Sequence, residues 1–135
     1  DTKGKEVANT FYWRSNDKYK GRKTLTGPTS SGFEDLSKLK QVQLKTRYQT
    51  YQEGDRHFIK AEIKNPSSTV AFFTQLQLLG QDKKPVRPSF YTDNFFSLLP
   101  GESKTVIIET AASDMPSEPT FVVKGWNIKP SSFKL

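Results

Sequence analysis

The chain has 135 residues, no cysteine, one histidine and a formal charge of +7, with 33% hydrophobic and 13% aromatic side chains. That length can bury a core without disulfide or metal support, and the missing cysteines exclude disulfides, thiolate metal sites and a cysteine nucleophile. No apolar run approaches the roughly 18 to 20 residues of a membrane-spanning helix, so no membrane span is expected.

In chain order, "DTKGKEVANT" lacks the apolar stretch of a secretion signal. With no initiator Met either, the expectation is a piece of a longer polypeptide whose targeting signal lies on the missing part. "VANTFYWRSN" (7–16) reads as an edge strand, and the aperiodic polar run up to residue 35 as a long surface loop. Residues 1–35 are thus an N-terminal strand and loop, and 36–135 the body of a single domain. "FEDLSKLK" can form one helical turn, with Phe33, Leu36 and Leu39 at helical spacing.

Beyond residue 40 the period is two. "QVQLKTRYQTY" turns Val42, Leu44 and Tyr48 inward, and "RHFIKAEIK" sets His57, Ile59, Ala61 and Ile63 against Arg56, Phe58, Lys60, Glu62 and Lys64. "AFFTQLQLLG" places Phe72, Thr74, Leu76 and Leu78 on one face. In "FYTDNFFSLLPGESKTVIIE", Tyr91 and the Phe95–Phe96 pair read as strand residues, Asp93 and Asn94 as local backbone-bonding groups that bend the strand, and Pro100–Gly101 as a tight turn. "KTVIIETA" and "TFVVKGWNI" complete the series. The expected core is Val42, Leu44, Ile59, Ile63, Phe72, Leu76, Leu78, Ile107 and Val123. Strands recurring roughly every ten to fifteen residues, with turn-forming connections and no room for a crossover helix, predict an all-β antiparallel sandwich of about seven strands.

Chemistry is sparse. His57 lies on the inward face of a strand, the position of a packed structural histidine, and without cysteine a zinc site would need carboxylates at a spacing the chain does not show. Glu34, Asp35, Glu53, Asp55 and Glu118 sit in turn-like segments; Asp93 and Glu102 flank an aromatic strand, and Glu102 follows a turn tip where acids are usually solvated. There is no Gly-rich phosphate loop and no G-x-S-x-G elbow. The sequence therefore offers no catalytic residue, no metal site and no cofactor site. Its cations are dispersed as "KYKGRK", "KLK", "KTR" and "KK", which does not make a phosphate-tracking stripe, so no nucleic-acid partner is expected. Exposed rings could stack on sugars or bases, the candidates being Tyr12, Trp13, Tyr91, Phe95, Phe96 and Trp126, with Trp13, Tyr91 and Trp126 put forward for carbohydrate binding; the competing reading makes Trp13 and Trp126 core or inter-sheet residues.

Taken in order, "NTFYWRSN", "GFEDLSKL", "IKNPSSTVAFFTQLQLLG", "RPSFYTDNFFSLLPGESKTVIIE" and "VVKGWNI" resemble the C-terminal immunoglobulin-like β-sandwich domain of glycoside hydrolase family 2 enzymes, in the exo-β-D-glucosaminidase and β-mannosidase branch. The ordered set carries the resemblance, since L-x-P-G-E alone is a turn common to many modules. One segment departs: the basic "RSNDKYKGRK" stands where the branch carries an acidic, Trp-bearing stretch. The resemblance implies a non-catalytic accessory domain of a periplasmic or secreted multidomain enzyme whose catalytic glutamates lie in a barrel outside this chain. Its partners would be the neighbouring domains and, on the alternative reading, polysaccharide.

Overall fold

The computed structural model describes residues 36–135. The expected edge strand at 7–16, the loop that follows it, Phe33 and Trp13 lie outside the described residues. The chain divides into two units, Asp1–Leu39 and Lys40–Leu135. Of the first, the described part is a turn of helix at buried Leu36, whose carbonyl accepts the Leu39 N–H at 3.3 Å.

The second unit carries eight strands: β1 (Lys45–Glu53), β2 (Arg56–Lys64), β3 (Ala71–Leu79), β4 (Ser89–Tyr91), β5 (Phe96–Leu98), β6 (Ser103–Ala111), β7 (Thr120–Gly125) and β8 (Ile128–Lys134). They form two four-stranded sheets, ordered β1-β2-β6-β4 and β5-β3-β7-β8, with every pair of neighbours antiparallel. One core joins the two inner faces: Ile59, Ala61, Ile63, Val106 and Ile108 from the first sheet meet Ala71, Leu76, Leu78, Leu98, Phe121, Val123 and Ile128 from the second. Burying each of the larger aliphatics is worth about 1.5–3 kcal/mol. The expected sandwich is present, with eight strands.

The chain enters by serving both sheets. Val42 donates its N–H to the Asn127 carbonyl at 2.7 Å and accepts the Lys129 N–H at 2.9 Å, a parallel bridge to β8. Three residues later the same run joins β2 as β1. Tyr48 then closes that side: its ring packs edge-on against Phe121 and Phe133, and its hydroxyl donates to the Lys134 carbonyl at 2.9 Å.

Three expectations change. On β3, Ala71 and Thr74 are buried while Phe72 is half-buried, because two residues lie between those inward positions instead of one. Ala71 pairs with Leu98 and Thr74 with Phe96, so three steps on β3 match two on β5; this is a bulge, and the extra residue, Phe73, takes φ 56°. On β6 the inward residues are Val106 and Ile108, with Ile107 half-exposed. "VII" has no phase of its own, and pairing imposes one: Val106 opposes Ala61 and Ile108 opposes Ile59, both inward, while Ile107 opposes exposed Lys60. Finally, Phe95 is not a strand residue. β4 and β5 belong to different sheets, and Phe95, at φ 55°, ends the crossing between them.

Candidate functional site

The stretch richest in rings and polar groups is that crossing, Tyr91 to Phe96. Strand β4 pairs with β6 as far as Tyr91, and Thr92 prolongs the pairing by donating its N–H to the Ile107 carbonyl and accepting the Ile107 N–H on Oγ1 at 2.9 Å. Asp93 Oδ1 then accepts the Asn94 N–H at 2.8 Å, a local turn bond that bends the chain toward the other sheet. Its second oxygen pairs with the Lys104 ammonium, which lies 5.0 Å from the centre of the Phe96 ring.

Asn94 makes the join. Its Oδ1 accepts the Leu76 N–H at 2.8 Å and its Nδ2 donates to the Leu76 carbonyl at 2.9 Å, so the side-chain amide pairs with β3 as a strand residue would. Two residues along β3, the Leu78 N–H donates to the Tyr91 hydroxyl at 2.8 Å. The Tyr91 ring packs against the core, and burial pushes its phenol above the ordinary value, opposed by the Leu78 N–H.

Two more asparagines do the same elsewhere. Asn65, fully buried, donates to the Thr69 and Leu98 carbonyls at 2.8 and 3.0 Å and accepts the Ser67 N–H and hydroxyl. Asn127, buried in the β7–β8 turn, donates to the Lys40 and Val70 carbonyls at 3.0 and 2.7 Å and accepts the Phe72 N–H at 2.8 Å. Both amides are spent on backbone groups that the turns would otherwise leave unpaired. The sequence placed Asn94 in a backbone role but gave no such role to Asn65 or Asn127; a turn-forming Asn wedged between two alternating strands is the signal that could have found them.

The sugar-stacking candidates are dispersed. Trp13 lies outside the described residues. Tyr91 is half-buried with its hydroxyl engaged, while Trp126, in the β7–β8 turn, is 56% exposed and donates its backbone N–H to the Phe72 carbonyl. Tyr91 reaches β3 at Leu78 and Trp126 at Phe72, six residues apart on one strand, or about 20 Å at 3.3 Å per residue. Tyr91 and Trp126 therefore do not share a platform.

No acid–base constellation forms among the described residues. Glu102 Oε2 accepts the Leu99 N–H at 2.8 Å across the Pro100–Gly101 turn, so this acid caps a turn. An open cleft of about 460 Å³ beside the β3–β4 turn is lined by Lys83, Ser117, Glu118, Thr120, Ser132 and Lys134 among others, with Glu118 its one carboxylate side chain. No group of three His, Cys, Asp or Glu side chains is placed to hold a metal, and no helix is long and apolar enough to cross a membrane, among the described residues.

What remains conspicuous is apolar. Phe73 and Phe95, both in the left-handed backbone region, are 51% and 57% exposed with ring centres 6.5 Å apart. Phe95 is among the rings the sequence offers for stacking, whereas Phe73 is not, because alternation cannot show a bulge.

Residues 24–128 match the family of the "Exo-beta-D-glucosaminidase Ig-fold domain". The chain belongs to that family. Its fold is accordingly the immunoglobulin fold, and the ordered motifs that suggested it include the three asparagine joins. The chain is 31% identical, over 94% of its length, to an exo-beta-D-glucosaminidase of Streptomyces avermitilis and covers 15% of that protein. It is 29% identical, again over 94% of its length, to the exo-beta-D-glucosaminidase of Amycolatopsis orientalis, covering 13% of it. The crystal structure of Amycolatopsis orientalis exo-chitosanase CsxA superposes with a TM-score of 0.69 at 25% identity, over 75% of this chain and 12% of that one. This Ig-fold domain thus spans about a seventh of the length of the curated relatives it matches.

Proposed function

We propose that this Ig-fold domain is a non-catalytic accessory module of a periplasmic or secreted glycoside hydrolase of family 2, in the exo-β-glucosaminidase and β-mannosidase branch. Its role is mechanical: it packs against neighbouring domains and supports the catalytic module, whose glutamates lie outside this chain. The proposal takes the whole chain, 1–135, as one domain. The observation that carries the reading is the use made of the motif residues: the amides of Asn65, Asn94 and Asn127 and the hydroxyl of Tyr91 are engaged with backbone groups, which leaves a sugar or a reacting bond little to meet there.

The chain alone, incubated with nitrophenyl β-glucosaminide and nitrophenyl β-mannoside, should release no nitrophenol, and deleting it from the full polypeptide should lower the thermal stability of what remains. Turnover by the pure chain, or a deletion that leaves stability unchanged, would overturn the reading. A second reading, a carbohydrate-binding module, is favoured by one observation, the exposure of Trp126. It requires micromolar binding of glucosamine or mannose oligomers that Trp126→Ala abolishes at unchanged stability.

A further inference from the structure

We propose that Phe73 and Phe95 form an apolar knob by which this domain docks onto an apolar surface of another folded domain of the same polypeptide. The proposal rests on the accessory-domain reading and names the surface that reading needs. Two independent features coincide at these rings. Both are more than half exposed and lie side by side, with the Phe72 ring 5.0 Å from that of Phe73. Both also sit on left-handed backbone, φ 56° and 55°, a conformation that bulky side chains avoid and that Asn or Gly would adopt with little strain.

The surroundings hold that backbone in place. The β3 bulge supplies the extra residue at Phe73, whose N–H meets Ser97 Oγ at 3.4 Å, and Asn94 Oδ1 accepts the Phe95 N–H at 3.1 Å while its amide grips Leu76. The fold thus maintains strain at two sites whose shared result is to present two phenyl rings to solvent, the opposite of what burial favours.

The immediate polar surroundings select the occupant. The Asn94 amide is engaged on Leu76, Ser97 Oγ accepts the Phe73 N–H, and the Asp93 charge is paired with Lys104, so what the knob chiefly offers is apolar, with no net charge for a polyelectrolyte. An apolar protein surface needs no such charge. The curated relatives, of which this domain matches 15% and 13%, contain roughly six times as much additional chain from which such a surface can come.

The test compares a Phe73→Asn/Phe95→Asn double variant with wild type, both as the 135-residue chain and in the full polypeptide that carries it. Asn accepts left-handed backbone, so the rings go while the loop geometry stays. The 135-residue variant should melt no lower than wild type and remain monomeric. In the full polypeptide, the variant domain should melt as a separate transition and be released by limited proteolysis about tenfold faster than wild type. Phe90→Asn, which removes a 57%-exposed ring from the other sheet, should leave the release rate unchanged. Loss of stability in the isolated variant, unchanged melting of the full-length variant, equal release by Phe90→Asn, or self-association of the wild-type chain through these rings would each overturn the proposal. A wild-type polypeptide in which this domain already melts independently would instead overturn the accessory-domain reading.

Discussion

Asn94 shows how one side chain can substitute for a strand. Its amide presents a donor and an acceptor in the geometry of a peptide group, and both engage the same residue, Leu76, where the chain changes sheets. Asn94→Ala leaves the Leu76 N–H and carbonyl without those partners, each at a cost of about 1–3 kcal/mol if water cannot reach it. Chemical denaturation of the chain should show a loss of about 2 kcal/mol or more, with an unchanged denaturant slope. Tyr91 makes a titratable counterpart. Its phenol titrates above the ordinary value in the folded chain, because burial disfavours the phenolate more than the Leu78 N–H favours it. Above about pH 10 the unfolded chain gives up this proton while the folded chain keeps it, so this contribution is complete below that pH and falls as pH rises through the folded value. Tyr91→Phe should cost about 1 kcal/mol at neutral pH, through the lost acceptor for Leu78, and should flatten the fall in stability as pH rises above about 10. An alkaline profile identical to wild type would count against it.

Two glycines separate the demands of two elements. Gly101 has φ 81°, and a Cβ there would meet nothing within 4 Å; it serves the turn, with Pro100 before it, that delivers β5 to β6. Gly125 ends β7 under the β3 bulge, where a Cβ would lie 2.8 Å from the Phe73 carbonyl oxygen and would also meet Ile128 Cδ1. Gly101→Ala should therefore cost about 1 kcal/mol, for backbone conformation alone. Gly125→Ala must move backbone of β3 and should cost more, about 2–3 kcal/mol, which parallel thermal melts will rank. The same contrast marks what the sequence made legible. Pro100–Gly101 was readable as a turn because its reason is local, and β2 was readable because one clean alternation fixes Ile59, Ala61 and Ile63 inward. The phase of "VII" in β6 comes from β2 and the bulge in β3 from β5, so the inward places of Ile107 and Phe72 were misassigned from a single strand's pattern. The left-handed backbone at Phe73 and Phe95 inherits that blindness, since it depends on how one strand meets another.

Over the whole molecule, the charge of +7 poses the question of an anionic partner, and the described strands carry part of that charge. On the outer face of β1 and β2, Lys45 stands opposite Lys64, Arg47 opposite Glu62 and Gln49 opposite Lys60. Four cations around one carboxylate make the densest basic patch on the paired strands, and the directly opposed lysines repel. Three other described cations are paired, Arg56 with Glu109 at 2.8 Å, Lys84 with Asp82 at 3.3 Å and Lys104 with Asp93. A polyanion would displace about four counterions at the β1–β2 patch; if that patch acts alone, log K against log salt on single-stranded DNA should be no steeper than about −3. Binding should be weak at low salt, fall by about fiftyfold between 50 and 200 mM, and disappear in a Lys45→Glu/Lys64→Glu variant. That variant should fold normally, because both residues are exposed and their mutual repulsion is replaced by two acids under the same repulsion. A slope near −6, or binding that survives the double charge reversal, would mean that cations beyond this patch act together as a nucleic-acid surface. A shallow slope is what dispersed, partly paired charge requires, and would assign the positive balance to solubility and long-range repulsion between copies of the domain.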